Sequence, residues 1–283
     1  MIMKIIGIDL GGTKISAAVV EADKIIELAE EVTDKKGGIA TIEQIKRIIG
    51  ELIKKHKTIK AIGIGVPAMV DAVKGIVYDV TNIPDWKEVP LVKILKQSFK
   101  QPVYINNDAN CFALGEKYFG KAKKSQNFVA LTIGTGLGAG VVIDNKLYNG
   151  RNGGAGEICE IPYLGKTLEY YCSGNFFIVK AKKDGEAVMK LAAAGDKKAL
   201  ALFAEFAEHI ANALAITVFT YDPEIIIIGG SVTQSRTYFE DKMIESLEKK
   251  LKGETFNNLR IEYSKGNKAV LGAASLCLNA KIK

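Results

Sequence analysis

Long uninterrupted apolar runs are missing from this chain of 283 residues. A membrane-spanning helix needs about 18 consecutive apolar residues, and the longest apolar segments here are interrupted by Gly, Lys or Asp. No signal segment precedes the first predicted strand, so we expect a cytoplasmic protein without a membrane partner. With 48% apolar and 25% charged residues, the composition is that of an ordinary globular protein of one or two domains.

Paired cysteine motifs and clustered basic residues are also missing. The cysteines Cys111, Cys159, Cys172 and Cys277 include no C-x-x-C or C-x-C pair, which argues against a zinc knuckle or a dithiol redox motif. We therefore expect reduced thiols that pack in the interior. The formal charge of +7 comes largely from lysines scattered through helical stretches, so we expect no nucleic-acid partner.

The first fourteen residues contain a glycine-rich turn between two apolar runs. Residues 1–8 and 15–20 predict the strands of a hairpin, and its turn reads Asp9-Leu10-Gly11-Gly12-Thr13-Lys14. Two adjacent glycines allow backbone N–H groups to approach a polyphosphate without obstruction by Cβ atoms. Thr13 would add a hydroxyl donor, and Asp9 would hold Mg²⁺ directly or through water. An ordinary hairpin without a ligand is the alternative; Lys14 would either reach a phosphate or lie exposed at a strand start.

A second glycine-rich hairpin is predicted further along the chain. From Phe128 an apolar run, the turn Gly134-Thr135-Gly136-Leu137-Gly138 and another apolar run repeat the opening arrangement. Between the two hairpins, residues 42–56 carry apolar side chains at helical spacing, and residues 59–67 and 103–106 predict strands. This alternation predicts an α/β fold.

The repeated hairpin suggests two domains, which we place at residues 1–107 and 108–268. A last helix within residues 269–283 is expected to pack back on the first domain. Further elements are predicted at residues 91–99, 197–220, 239–251 and 269–278 as helices and at residues 224–228 and 259–263 as strands.

The segment Asn106-Asn107-Asp108-Ala109-Asn110 joins a predicted strand to a predicted helix. Asp108 is placed like a helix N-cap, which is its structural interpretation. Its functional interpretation is a general base that takes a proton from a hydroxyl as that oxygen attacks the γ-phosphoryl group of ATP. Asn107 would hydrogen-bond other hydroxyls of the same substrate, because a sugar rim needs both donors and acceptors.

Five motifs together resemble the ROK family (repressors, open reading frames and sugar kinases) of the actin-like ATPase superfamily. They are Asp9-Leu10-Gly11-Gly12-Thr13-Lys14, Gly63-Ile64-Gly65-Val66-Pro67, Asn107-Asp108-Ala109-Asn110, Leu131-Thr132-Ile133-Gly134-Thr135-Gly136-Leu137-Gly138 and Gly154-Ala155-Gly156-Glu157. The resemblance spans nearly the whole chain. It implies two actin-like (ribonuclease H-like) domains, with ATP and a sugar in the cleft between them, and a homodimer.

The resemblance also implies a role for individual residues. Asp108 is expected to be the catalytic base, and Gly229 and Gly230 to lie beside the adenosine. The expected phosphate contacts are Gly11, Gly12, Thr13, Gly134, Thr135, Gly136 and Gly138, with Mg²⁺ at Asp9. The expected sugar ligands are Asn107, Glu157 and Glu169, and Asn82 is a further candidate for the sugar rim.

Three features of the sequence depart from the family pattern. Glu160 stands where the family has a histidine that touches zinc and sugar, and the cysteine-rich zinc loop is missing between Glu160 and Leu168. Ala68 replaces a glycine that is frequent after Pro67. We therefore expect no structural zinc. Glu160 would either lie on the surface or accept a hydrogen bond from a sugar hydroxyl in place of the histidine.

The function expected from these residues is an ATP- and Mg²⁺-dependent kinase acting on the 6-hydroxyl of a hexose such as glucose. An N-acetylmannosamine or N-acetylglucosamine kinase is the alternative. A sugar-responsive repressor would need a DNA-reading module before the sugar domain, which we do not expect because the first predicted strand begins at residue 1 or 2. A sugar-sensing regulator without catalysis is the remaining possibility.

Overall fold

A computed structural model of the chain describes residues 3–34, 36–80, 83 and 85–279. The chain divides into two compact units. Unit 1 consists of Met1–Lys123, Lys146–Ala155 and Gly266–Lys283, and unit 2 consists of Lys124–Asn145 and Gly156–Lys265. The division differs from the predicted boundary after residue 107, because the helix that begins at Asp108 packs within unit 1.

The secondary structure alternates between strands and helices, as the sequence predicts. The strands are β1 (Lys4–Leu10), β2 (Lys14–Glu21), β3 (Lys24–Val32), β4 (Ile59–Val66), β5 (Met69–Asp71), β6 (Ile76–Tyr78), β7 (Glu88–Val89), β8 (Val103–Asn107), β9 (Phe128–Ile133), β10 (Leu137–Ile143), β11 (Lys146–Leu147), β12 (Pro162–Tyr163), β13 (Lys166–Thr167), β14 (Ile225–Gly229) and β15 (Arg260–Tyr263). The helices are α1 (Gly38–Lys55), α2 (Leu91–Lys96), α3 (Asp108–Phe119), α4 (Leu168–Cys172), α5 (Asn175–Ala181), α6 (Gly185–Ala193), α7 (Lys197–Tyr221), α8 (Glu240–Lys250), α9 (Glu254–Asn257) and α10 (Lys268–Asn279).

The main sheet of unit 1 has the strand order β3-β2-β1-β4-β8. The first three strands are antiparallel, and β1, β4 and β8 run parallel. Successive side chains of a strand point to opposite faces, so Ile6 and Ile8 pack with Ile45 and Ile49 of α1, while Ile5 packs with α10. Helices therefore cover both faces of the sheet.

Glycines allow α3 and α10 to approach the sheet and each other. A Cβ atom at Gly63 would lie 1.8 Å from the carbonyl oxygen of Ala273, and one at Gly272 would lie 1.6 Å from that of Cys111. No side chain fits at such distances, so the backbones meet directly. These contacts hold α3 and α10 in unit 1.

A second, smaller sheet in unit 1 has the order β5-β6-β7. Trp86, which precedes β7, is fully buried, and its Nε1 donates a hydrogen bond to the carbonyl oxygen of Gly38 at 2.9 Å. Trp86 thus fastens its loop to the start of α1. Asn82, the predicted sugar-rim residue, lies outside the described residues.

Unit 2 contains a sheet in which β10, β9, β14 and β15 follow one another. As in unit 1, an antiparallel hairpin (β9 and β10) is extended by parallel strands. By length and composition α7 is apolar enough to cross a membrane, but its apolar side chains, including Phe203, Phe206 and Leu214, are buried in the core of this unit. Its apolar character is therefore explained by internal packing.

Candidate functional site

The turn between β1 and β2 is fixed by backbone hydrogen bonds. Gly11 N–H donates to the carbonyl oxygen of Lys14 at 2.9 Å, and a Cβ atom at Gly11 would lie 2.7 Å from that oxygen. Thr33 donates its hydroxyl to the Gly11 carbonyl at 2.7 Å and its N–H to the Thr13 carbonyl at 2.9 Å. The end of β3 thus holds the turn, in which Gly12 is half-buried and Thr13 exposed.

Lys14 points to the neighbouring strand. Its Nζ forms an ion pair with Glu30 of β3 at 2.6 Å, and both side chains are about half exposed. The Ser16 hydroxyl donates to the same Glu30 oxygen at 3.0 Å. This placement favours the interpretation of Lys14 as an exposed strand residue over a phosphate contact.

Asp9 lies near the end of β1, where burial raises the pKa of its carboxyl to about 6 while the charge of Lys14 partly opposes this shift. A nearby cation stabilises the charged form of a carboxylate that burial makes costly to ionise. Mg²⁺ is commonly held by one or two carboxylates, water and substrate phosphates, so a single Asp fits this ion. Among the described residues no three His, Cys, Asp or Glu side chains group as a ready-made metal site.

The start of α3 differs from the predicted capping. Asn107, rather than Asp108, is the N-cap: its Oδ1 accepts the N–H groups of Ala109 at 2.9 Å and Asn110 at 3.3 Å. Asn107 Nδ2 donates to the carbonyl oxygen of Ala68 at 3.1 Å. The N-cap position therefore belongs to Asn107 and not to Asp108, although Asp108 Oδ1 also accepts the Ala109 N–H at 2.8 Å. Asp108 is the first helical residue.

The carboxyl ends of the parallel strands bring Asp9 and Asp108 close together. Asp9 of β1 pairs with Gly65 of β4, and Gly65 pairs with Asn106 of β8, so the three lie in one row. Burial, reinforced by the negative charges of Asp9 and Asp108, raises the pKa of the Cys111 thiol. Both carboxylates thus act on one buried thiol, and unit 1 gathers its predicted acidic residues at one edge of its sheet.

In unit 2, the turn between β9 and β10 is held by several elements. Gly134 N–H donates to the Gly136 carbonyl at 2.9 Å, and Gly174 N–H donates to the Gly134 carbonyl at 2.7 Å. Glu169 of α4 accepts the Leu137 N–H through Oε2 at 3.0 Å. The predicted sugar ligand Glu169 thus braces the glycine turn. Within this turn Thr135 is exposed, and the half-buried Gly138 belongs to β10.

The two glycines at the end of β14 lie beside this turn. Gly229 is the buried last residue of β14 and pairs with Thr132. Gly230 has φ +89°, and a Cβ atom there would lie 2.3 Å from the carbonyl oxygen of Ile133. The structure therefore brings the predicted adenosine and phosphate segments of unit 2 together.

Three glutamates surround Cys159 in unit 2. The Cys159 thiol donates to Glu157 Oε2 at 3.3 Å. Burial raises the pKa of this thiol, and the charges of Glu157, Glu169 and Glu160 add to the shift. Glu157 is half-buried, but Glu160 is exposed at the end of a short 3₁₀ segment, which favours its surface interpretation. Where the zinc loop was expected to be missing, the chain forms the β12–β13 hairpin.

Comparison with known proteins identifies the family. The model of the ROK family matches residues 5–280 of the chain. The chain belongs to the ROK family. A glucokinase from Thermotoga maritima is 31% identical over 266 residues, which cover 82% of this chain and 83% of that protein. A xylose repressor from Caldicellulosiruptor bescii is 32% identical over an alignment covering 97% of this chain and 78% of the repressor.

A solved ROK structure supports the same conclusion. The ROK family glucokinase from Streptomyces griseus, in complex with glucose and AMPPNP, matches with a TM-score of 0.84 and 28% identity, covering 96% of this chain and 98% of that one. This likeness confirms the expected α/β, actin-like fold. Because ROK members include both kinases and repressors, the activity is considered separately below.

Proposed function

We propose that this ROK protein is an ATP- and Mg²⁺-dependent sugar kinase that transfers the γ-phosphoryl group to the 6-hydroxyl of a hexose, with glucose as the preferred substrate. The observation that carries the proposal is the placement of Asp108. Asp108 is the first residue of α3, directly after the N-cap Asn107, and its carboxylate lies near Asp9 at the carboxyl edge of the unit 1 sheet. Open α/β sheets bind ligands at this edge.

Asp108 would accept the proton of the attacking hydroxyl, and its half-buried position suits contact with both substrate and interior. Asn107 holds the base in place and has a second Nδ2 hydrogen that can donate to a sugar oxygen. The turn of Gly11, Gly12 and Thr13 would face phosphate oxygens. Mg²⁺ bound near Asp9 would supply charge neutralisation at the phosphates, for which this half-buried carboxylate is suited.

The proposed contribution of unit 2 is to bind phosphates and sugar. The glycine turn of residues 134–138 would contact phosphate oxygens, with Gly229 and Gly230 beside the adenosine. Glu157 and Glu169 would accept hydrogen bonds from adjacent sugar hydroxyls, and charge-assisted bonds of this kind are strong. Glu169 Oε2 is engaged by Leu137 N–H, so Oε1 would serve the sugar. One glutamate would then connect sugar and phosphate segments.

Glucokinase relatives and a glucose complex within the family support glucose as substrate. The repressor alternative is weaker because Asp108, the proposed base, is present at the start of α3, and a sugar sensor would not need a proton acceptor there. We also propose a cytoplasmic homodimer, as the family resemblance implies; light scattering of the purified protein would measure the assembly.

The proposal is tested by ADP release from ATP and Mg²⁺ in the presence of glucose, mannose, N-acetylglucosamine, N-acetylmannosamine and xylose. We expect turnover with glucose, and competitive inhibition without turnover by 6-deoxyglucose, which lacks the accepting hydroxyl. A clear preference for an N-acetylated sugar would replace the hexose assignment by the alternative. Absence of sugar-dependent ADP release with every sugar would refute the kinase proposal.

A further inference from the structure

Three asparagine side chains form a hydrogen-bonded network at the start of α3. Asn106 Nδ2 donates to Asn149 Oδ1 at 3.0 Å, and Asn110 Nδ2 donates to Asn106 Oδ1 at 3.0 Å. Asn106 Oδ1 also accepts the backbone N–H of Asn107 at 2.8 Å. Asn106 and Asn110 are buried, so these bonds replace those that water would supply. The network joins the segment after β11 to the first turn of the helix that carries Asp108.

One backbone group fixes the donor and acceptor roles in this network. A backbone N–H can only donate, so the Asn106 atom that faces the N–H of Asn107 must be its oxygen. The NH₂ group of Asn106 then faces Asn149, which must present its own oxygen. The hydrogen bonds therefore fix the orientation of the Asn149 amide, with its oxygen toward Asn106. Without this oxygen, the Asn106 NH₂ group loses its partner, and Asn110 Nδ2 loses a second acceptor that lies 3.5 Å away.

The segment that presents Asn149 is itself tied down within unit 1. The carbonyl oxygen of Asn149 accepts the N–H of Ala155 at 3.2 Å, which closes residues 149–155 into a loop. Within this loop Gly153 has φ +80°, and a Cβ atom there would lie 2.3 Å from the carbonyl oxygen of Val70. The loop backbone thus lies directly on β5, and the acceptor of Asn149 is held at a fixed place.

The network reaches the residue directly before Asp108. Asn149 Oδ1 accepts Asn106 Nδ2, and Asn106 Oδ1 accepts the backbone N–H of Asn107. At its other end, Asn110 Oδ1 is buried and has no protein partner among the described residues.

We propose that Asn149 is a positioning residue for Asp108, acting through Asn106 on the backbone at the end of β8. This inference rests on the kinase function proposed above. Asn107, the residue before the base, is held at its N–H by Asn106 and at its side chain by Ala68 and the first turn of α3. Loss of the first bond would let the carboxylate drift from its orientation toward the sugar hydroxyl.

The test compares two substitutions of Asn149. Asn149→Leu removes the acceptor at similar size, whereas Asn149→Asp keeps an oxygen for Asn106 Nδ2. Because a displacement of about 1 Å at a reacting group can slow the reaction about a hundredfold, we expect kcat of Asn149→Leu to fall about ten- to a hundredfold. The KM for ATP should stay unchanged, and Asn149→Asp should keep a kcat close to that of the unmodified protein. Asn258→Leu, at an exposed position after α9, is the matched control and should keep full activity.

A second readout does not depend on activity. Amide hydrogen exchange at Asn107, Ala109 and Asn110 should be faster in Asn149→Leu and unchanged in Asn149→Asp. Unchanged exchange in Asn149→Leu, or equal loss of kcat in both Asn149 variants, would overturn the inference. If the unmodified protein shows no sugar-dependent turnover, the proposed function fails, and faster exchange in Asn149→Leu alone would still support the link from Asn149 to the start of α3.

Discussion

Replacement of Gly134 by Ala separates the proposed phosphate contact from the stability of the fold. Gly134 does not have a positive φ, so alanine can adopt its backbone conformation. The nearest atom to an added Cβ would be Ser231 Oγ at 3.5 Å, an ordinary van der Waals distance. The methyl group thus meets no obstacle within unit 2.

The expected effects on stability and on ATP binding have opposite signs. At a compatible position, Gly→Ala stabilises a protein by about 0.4–1 kcal/mol because the unfolded chain loses freedom. The same methyl group would stand where a phosphate oxygen approaches the turn. Loss of one hydrogen bond to a charged group costs about 1.5–3 kcal/mol, which corresponds to about a ten- to hundredfold weaker ATP affinity.

Calorimetric titration with ATP and thermal unfolding of the same Gly134→Ala sample measure both effects. Gly50→Ala is the control, since Gly50 lies in α1 with no atom within 4 Å of an added Cβ and should leave ATP affinity unchanged. Gly230→Ala is unsuitable because its Cβ would clash with the Ile133 carbonyl and destabilise the fold. Unchanged ATP affinity in Gly134→Ala would refute the proposed contact between this turn and the phosphates.

Three further predictions concern stability and metal content. Burial lowers the pKa of His209, whose Nδ1 lies 3.1 Å from the Tyr163 hydroxyl. As pH falls below about 6.5, the His209 imidazole is therefore protonated in the unfolded chain before it is protonated in the folded protein. The free energy of unfolding by urea should fall at acidic pH, and a fall of equal size in His209→Gln would contradict this origin. Gly272→Ala should destabilise the protein by about 1–3 kcal/mol because its Cβ overlaps the Cys111 carbonyl. Gly50→Ala should instead stabilise α1 by about 1 kcal/mol. Equal melting temperatures of the Gly272→Ala and Gly50→Ala variants would refute the close packing of α3 and α10. Elemental analysis of active, chelator-treated protein should find no zinc, and one tightly bound zinc ion per chain would contradict the expectation.

Local sequence patterns predicted the long elements well. The apolar spacing of residues 197–220 anticipated α7, and residues 42–56 anticipated most of α1, because burial of one helix face leaves a clear period. The strands β5, β6 and β7 were missed, since two or three residues are too few to show an alternation.

Contacts between distant parts of the chain limited the prediction of the domain boundary. A boundary after residue 107 would separate α3 from unit 1, whereas α3 belongs to unit 1 through the approach of Gly272 to Cys111. A glycine within an apolar helix does not by itself show which backbone it will meet. Only the folded arrangement supplies that information.

The candidate site was predicted as a set of motifs rather than as a network. Glycine turns, Asp9 and Asp108 are visible in sequence because their residue types are typical of phosphate and sugar chemistry. The sequence does not show that Asn107 is the N-cap or that Leu137 N–H donates to Glu169. Neighbouring polar residues compete for the same positions. Asn149 carries no sequence signal, since its partner Asn106 lies far along the chain.

The most direct test of the central claim is the kcat of Asp108→Asn, measured as ADP release with saturating glucose. Since Asn107 caps α3, this substitution removes the proton acceptor without removing the helix cap. We expect kcat to fall about 10²–10⁴-fold, while the glucose affinity measured by calorimetry changes little. An Asn variant that keeps most of its turnover would contradict the assignment of Asp108 as the base.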